Sequence, residues 1–185
     1  MDWTKFNNHG ESNNHAFEVM CNLIFESWCR ETYQDKLVQF AFVNGNGGDG
    51  GVEAYGILSN GNIVGVQSKW FPNKLEDVQI RQIENSFKTA LKVRPNISRY
   101  IVCIPRDLNS KRIVKKGKKA KNTESDKWEE MVRKFKSFYP NIEIILWDES
   151  TIQEKITRPT SQGIYKYWFE NTVLFDQIFE NSYDK

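Results

Sequence analysis

The stretch Gly45–Phe71, GNGGDGGVEAYGILSNGNIVGVQSKWF, decides how this chain folds. It sets a glycine-rich loop ahead of two apolar runs and joins the runs through Ser59-Asn60-Gly61-Asn62. Asn-Gly between such runs is the strongest short-range hairpin signal, because both residues accept the positive φ of a tight turn. The stretch therefore predicts a loop over 44–51, a strand over 52–58 and an antiparallel strand over 63–71. Pro72 closes the second strand, since proline has no N–H for the ladder. Residues two apart in a strand share a face. Gln67 and Lys69 thus point one way with Ile63 and Gly65, while Val64, Val66, Ser68 and Trp70 point the other. An amide and an ammonium on so apolar a strand need a reason, because such groups are seldom buried without a partner.

Working outward, Ala16, Phe17, Met20, Cys21, Leu23, Ile24 and Trp28 recur at three and four, which predicts an amphipathic helix from Asn13, with Asn13 or Asn14 as its cap. Residues 1–12 are polar and read as a loose lead-in. A first strand is expected over 37–43 and a second helix over 75–93, with Val78, Ile83, Phe87, Ala90 and Leu91 inward. The almost wholly apolar 99–105 reads as a strand buried on both faces. A basic loop over 106–124, a helix from Ser125 or Asp126 to Phe138, a strand over 142–147 and short terminal helices complete the chain. The order α-β-β-β-α-β, then α-β-α, is that of an α/β sandwich whose mixed central sheet is flanked by helices.

Composition bounds the function classes. A chain of 185 residues that is 39% hydrophobic, with 12 Phe, 7 Tyr and 6 Trp, fills one domain with a substantial core. A net charge of +2 names no partner by itself. No apolar run is long enough to span a bilayer and the N-terminus lacks a secretory pattern, so no membrane role and a cytoplasmic location are expected. Cys21, Cys29 and Cys103 form no CxxC pair and read as reduced core thiols. His9 and His15 are too few and too isolated for zinc and are expected at the surface, while Trp128, Trp147 and Trp168 are expected in the core.

A strand starting near Asp49 puts Asp49, Gly51 and Glu53 on one face, and the hairpin can bring Asp49 to the Gln67/Lys69 end of its partner. A carboxylate, an amide oxygen and an ammonium then meet at one sheet edge. A hard cation such as Mg²⁺ takes oxygen ligands and keeps several waters. Asp49, the Gln67 side-chain oxygen and the Ser68 backbone carbonyl supply such ligands, Glu53 is a further candidate, and Lys69 would stabilise charge on a phosphodiester under attack. The ordinary readings are turn chemistry for Asp49 and a solvated face for Gln67 and Lys69. Against the second stand the apolar neighbours Val64, Val66, Trp70 and Phe71.

Asp49, followed eighteen positions later by Gln67-Ser68-Lys69 on the far strand of a hairpin, resembles the PD-(D/E)xK nuclease superfamily. Gln in place of the second acid looks like its Mrr-type branch. Together with IENSFKTALKVRPNISRYIVCIPRDL and IILWDE, the stretch is similar to the N-terminal nuclease domains of bacterial antiviral STAND ATPases, over roughly residues 13 to 150. The resemblance implies a restriction-endonuclease-like core over 13–160, with 161–185 as a helical extension towards an ATPase or sensor domain beyond. It implies a Mg²⁺-dependent DNA endonuclease, with Mn²⁺ able to substitute, acting in phage defence as an oligomer. Carried over by position, Asp49 is the motif aspartate, Gln67 replaces the second acid, Lys69 is the catalytic lysine, and Glu18 is the extra acid from the first helix. Gly48 stands where many members have proline, and no ATPase region lies within these 185 residues.

Lys111, Arg112, Lys115, Lys116, Lys118, Lys119 and Lys121 form a basic run without aromatics. It is a solvated loop on the plain reading and a phosphate-contacting arm for duplex DNA on the functional one. A silent nucleic-acid-binding module, or an assembly module pairing through GIYKYWFENTVLFDQIF, is the alternative.

Overall fold

A computed structural model describes residues 1–43, 50–110 and 122–170. Its centre is a five-stranded sheet in spatial order β1 (Leu37–Phe42), β2 (Ala54–Leu58), β3 (Ile63–Ser68), β4 (Ile97–Cys103) and β5 (Glu143–Trp147). The first three strands are antiparallel and the last three parallel. The Asn60-Gly61 turn explains the first half: Gly61 has φ +81°, and Asn60 Oδ1 accepts from the Asn62 N–H at 3.0 Å. The parallel half needs crossovers, which α2 (Asp77–Val93) and α3 (Glu124–Phe138) supply.

Two cores result, one on each face. Against one face lie α1 (Asn13–Tyr33), α4 (Glu149–Ile156) and α5 (Gln162–Phe169), where Phe17, Ile24, Phe25, Ile152, Ile156 and Trp168 pack onto Ala54, Val64, Val66, Ile101 and Cys103. Against the other lie α2 and α3, where Ile83, Phe87, Ala90, Met131 and Phe135 meet Tyr100, Val102 and Ile104. β4 shows the two-sided burial that its apolar sequence predicts, and β3 beside it is likewise buried on both faces.

Several expectations need correction. Residues 1–12 are not loose: Trp3 and Phe6 pack edge-on and stacked against Trp70, and the N-terminal ammonium bonds Glu149 at 2.6 Å. Ser12, not Asn13 or Asn14, caps α1, and Thr123 caps α3 in a capping box with Asp126. Val78 is 53% exposed, whereas Ile80 takes the inward position. The start of the expected extension, α5, belongs to the core through Trp168. Cys21, Cys29 and Cys103 are buried free thiols, as expected. His9 is exposed, stacking on Tyr167 at 4.0 Å.

Gly50 and Gly51 lead into β2 with φ of +60° and +80°. Gly51 presses on α2 so closely that a Cβ would lie 2.1 Å from the Ser86 carbonyl oxygen, and its own carbonyl accepts the Tyr100 hydroxyl at 2.8 Å. Gly51→Ala is therefore expected to lose at least about 2 kcal/mol, from the left-handed backbone and the clash together, read as a lower urea midpoint. Among the described residues no helix is long and apolar enough to cross a membrane.

Candidate functional site

The sheet brings Glu53, Gln67, Ser68 and Lys69 together where β2 begins and β3 ends. The Glu53 N–H donates to the Val66 carbonyl at 2.8 Å and its carbonyl accepts from Val43 N–H at 2.7 Å, so the residue is held between β1 and β3 before β2 proper starts. Its side chain is buried. Gln67 Nε2 donates to Glu53 Oε1, and the Ser68 N–H donates to Glu53 Oε2 at 2.7 Å. With Nε2 donating to Glu53, the Gln67 oxygen is directed away from it. Nε2 also lies 3.4 Å from the Ser68 carbonyl, a weak contact.

Lys69 sits just past the strand, half-buried. Its N–H donates to the Cys103 carbonyl at 2.9 Å and its carbonyl accepts from Phe71 N–H at 2.9 Å. Trp70 enters the α1-side core and Phe71 the α2-side core, so the Lys69 backbone is anchored from both sides. Its ammonium acts on Glu53, favouring the ionised carboxylate.

Electrostatics single out Glu53. Burial pushes its pKa up to about 8, the negative charge of Glu18 on α1 adds to the rise, and the Ser68 N–H and Lys69 oppose it. Two carboxylates thus share a desolvated corner, with one destabilised as an anion by the other. Beneath them the Ser68 side chain lies against the Cys21 thiol, which is raised well above its ordinary value by burial and then by Cys103.

The expected site residues divide as follows. Glu18, Glu53, Gln67, Ser68 and Lys69 are brought to one corner. Asp49 lies outside the described residues, as do Lys111, Arg112, Lys115, Lys116, Lys118, Lys119 and Lys121. Glu53, a secondary candidate by sequence, is the acid at the middle of the described network. Its shared parity with Asp49 was the only sequence signal for it. Among the described residues no group of three or more His, Cys, Asp or Glu is gathered as a metal centre. The described donors are nevertheless all oxygen atoms of two acids and an amide, and the mutual repulsion of Glu18 and Glu53 is what a hard cation would relieve, so the set fits Mg²⁺ or Mn²⁺.

The roots of the basic segment are described and are tied together by a residue the sequence does not flag. Glu124, the first residue of α3, is buried and accepts from Leu75 N–H at 2.5 Å on one oxygen, and from Arg106 Nη2 at 3.0 Å and Asn109 Nδ2 at 2.7 Å on the other. By sequence it is an ordinary acid in a helix's first turn. Glu124→Gln turns one acceptor into a donor facing donors, and is expected to cost about 1–3 kcal/mol in urea unfolding with an unchanged m-value. A groove of about 1010 Å³ between α2 and α3 lies apart from this corner. Lys127 pairs with Glu76 and Asp77, Lys134 with Glu84 and Lys74 with Glu76, while Arg81 donates to the Asp77 backbone carbonyl, so the groove reads as a solvated seam.

Comparison with known proteins finds no family model that matches the chain and no curated protein that matches it.

Proposed function

We propose that this chain is a Mg²⁺-dependent endonuclease that hydrolyses phosphodiester bonds of duplex DNA with little sequence preference. The observation that carries the reading is the corner of Glu18, Glu53, Gln67 and Lys69, two acids and an amide beside an ammonium at the end of an apolar strand. The sequence resemblance to Mrr-type PD-(D/E)xK nucleases supports it and extends it to a restriction-endonuclease-like core. On the same resemblance the chain serves bacterial phage defence in the cytoplasm, as an oligomeric effector joined to an ATPase or sensor.

A bound divalent cation would supply Lewis-acid polarisation of the phosphodiester. The chain's own residues do the rest. Glu18, with Asp49 on the resemblance, holds negative charge at the corner, and Glu53 would join them where a cation favours its ionised form. Gln67 is locked to Glu53 through Nε2, which orients its oxygen. Lys69, anchored by Cys103 and Phe71, offers a cation to the charge that develops on the phosphate. The lysines and arginine of 111–121 hold the duplex by its phosphates.

A second reading, a nucleic-acid-binding module that does not cut, draws on one observation. Both Glu53 oxygens already accept hydrogen bonds, from Gln67 and Ser68, as in a purely structural strut. Supercoiled plasmid with Mg²⁺, with Mn²⁺ and with EDTA, over a range of protein concentrations, separates the two. Metal-dependent nicking or linearisation is expected. A salt-sensitive mobility shift without any cleavage product selects the binding module instead.

A further inference from the structure

We infer that Asn22 is a further residue of this site, its amide oxygen accepting a hydrogen bond from a hydrated divalent cation; this rests on the metal-dependent reading above. Asn22 is only 6% exposed, and its Oδ1 is buried with no hydrogen-bond partner among the described residues. A buried carbonyl oxygen left unpaired is costly, and such groups in native proteins are answered by a water, an ion or a ligand.

Helix geometry locates it. Glu18, Asn22 and Cys29 fall on one stripe of α1, since positions four and eleven residues on return to nearly the same angle. One end of the stripe is fixed by Glu18, whose charge acts on Glu53. The other is fixed by Cys29, whose Sγ lies 3.8 Å from where a Cβ on Gly56 would be. The stripe therefore runs along β2 from Glu53 to Gly56. Asn22 lies one turn past Glu18 on this stripe, and the small Ala54 side chain belongs to the sheet face that α1 covers. The neighbouring Cys21 lies against Ser68, so α1 meets the corner on both sides of this position.

The chemistry of the atom selects its ligand. Among the described residues, the other buried side-chain atoms without a hydrogen-bond partner include the Trp3, Trp168 and Arg106 nitrogens, which are donors, and the Ser68 hydroxyl, which lies at the corner itself against the Cys21 thiol. The indoles sit among aromatic rings and Arg106 beside Glu124. Asn22 Oδ1 is an acceptor one helical turn from an acid pair, a setting that repels anions and favours a cation or the water it carries. Mg²⁺ sheds its water reluctantly and is commonly held through it, which suits an oxygen set one turn back from the carboxylates.

The test uses the purified chain with Mn²⁺ as probe, read by electron paramagnetic resonance, alongside thermal melting with and without the metal. Asn22→Leu keeps the branching at Cγ and the number of heavy atoms and removes the unpaired oxygen. The metal-free variant is expected to melt no lower than the wild type, while its Mn²⁺ dissociation constant rises about 10–100-fold. Asn22→Asp adds a negative charge beside Glu18 and Glu53. Its metal-free melting temperature is expected to fall and its upward shift with Mn²⁺ to exceed that of the wild type. Wild-type Mn²⁺ affinity in the Leu variant, or an Asp variant that Mn²⁺ does not rescue, overturns the role of Asn22 while leaving the nuclease reading intact. A wild type that takes up no Mn²⁺ overturns the metal-dependent reading, and the role of Asn22 with it.

Discussion

On the proposed nuclease reading, Lys69→Ala is expected to leave the fold unchanged and to lower Mg²⁺-dependent plasmid cleavage by about 10²–10⁴-fold, the range for losing one positioned acid–base or charge-stabilising group. The side chain is half-buried at the end of β3, and its backbone is held by Cys103 and Phe71 whatever the side chain is. Removing the ammonium therefore removes chemistry and little packing. Single-turnover cleavage with excess enzyme isolates the effect from DNA binding, which Lys111 to Lys121 are expected to govern. Binding of a fluorescent duplex should weaken little, by the loss of one cation, whereas the rate should collapse. Lys69→Arg keeps the charge but replaces a compact ammonium with a planar fork, so it should recover only part of the rate. Cleavage at the wild-type rate by Lys69→Ala would remove the corner from the catalytic reading altogether.

The second large effect is on stability. Glu53 has a pKa of about 8 in the fold against an ordinary 4.5, with burial the main cause and Glu18 the next. The folded chain therefore keeps a proton that the unfolded chain has already released. The stabilisation is complete below about pH 4.5 and is lost as the pH rises through about 8. At 1.36 kcal/mol per unit the loss approaches about 5 kcal/mol, as much as the whole stability of a marginal domain. Urea unfolding of metal-free protein at pH 5, 6.5 and 8 should show this decline, and Glu53→Gln, which cannot ionise, should flatten it. A divalent cation favours the ionised carboxylate, so Mg²⁺ should restore stability most strongly at pH 8 and EDTA should abolish the rescue. Equal slopes in the wild type and the Gln variant would mean that Glu53 is ionised throughout and that the acid pair is not strained.

The two predictions bear on different halves of the corner, and their legibility in the sequence differs accordingly. Lys69 and Gln67 are legible because they break the apolar pattern of a strand, and strand parity is a local rule. Glu53 is harder. It lies before the regular part of β2, and only its bonds to Val43 and Val66 show it to be held by the sheet. Glu124 is harder still, since its partners Leu75, Arg106 and Asn109 come from segments far apart in the chain, and an acid opening a helix has an ordinary local explanation. Asn22 had no sequence signal: a polar residue on an amphipathic helix reads as solvent-facing until the sheet is laid against it.

The sequence by itself determined the hairpin, the alternation of helix and strand after it, and the two-sided burial of β4. These follow from turn chemistry and from periods of 2 and 3.6 residues, which act over a few positions. Only the tertiary structure decided that Met1, Trp3 and Phe6 pack against the core, that the charge of Glu18 acts on Glu53, and that the buried Asn22 Oδ1 has no hydrogen-bond partner among the described residues. Burial and charge proximity belong to pairs of residues distant in sequence, and they exist only once α1 has been laid along β2.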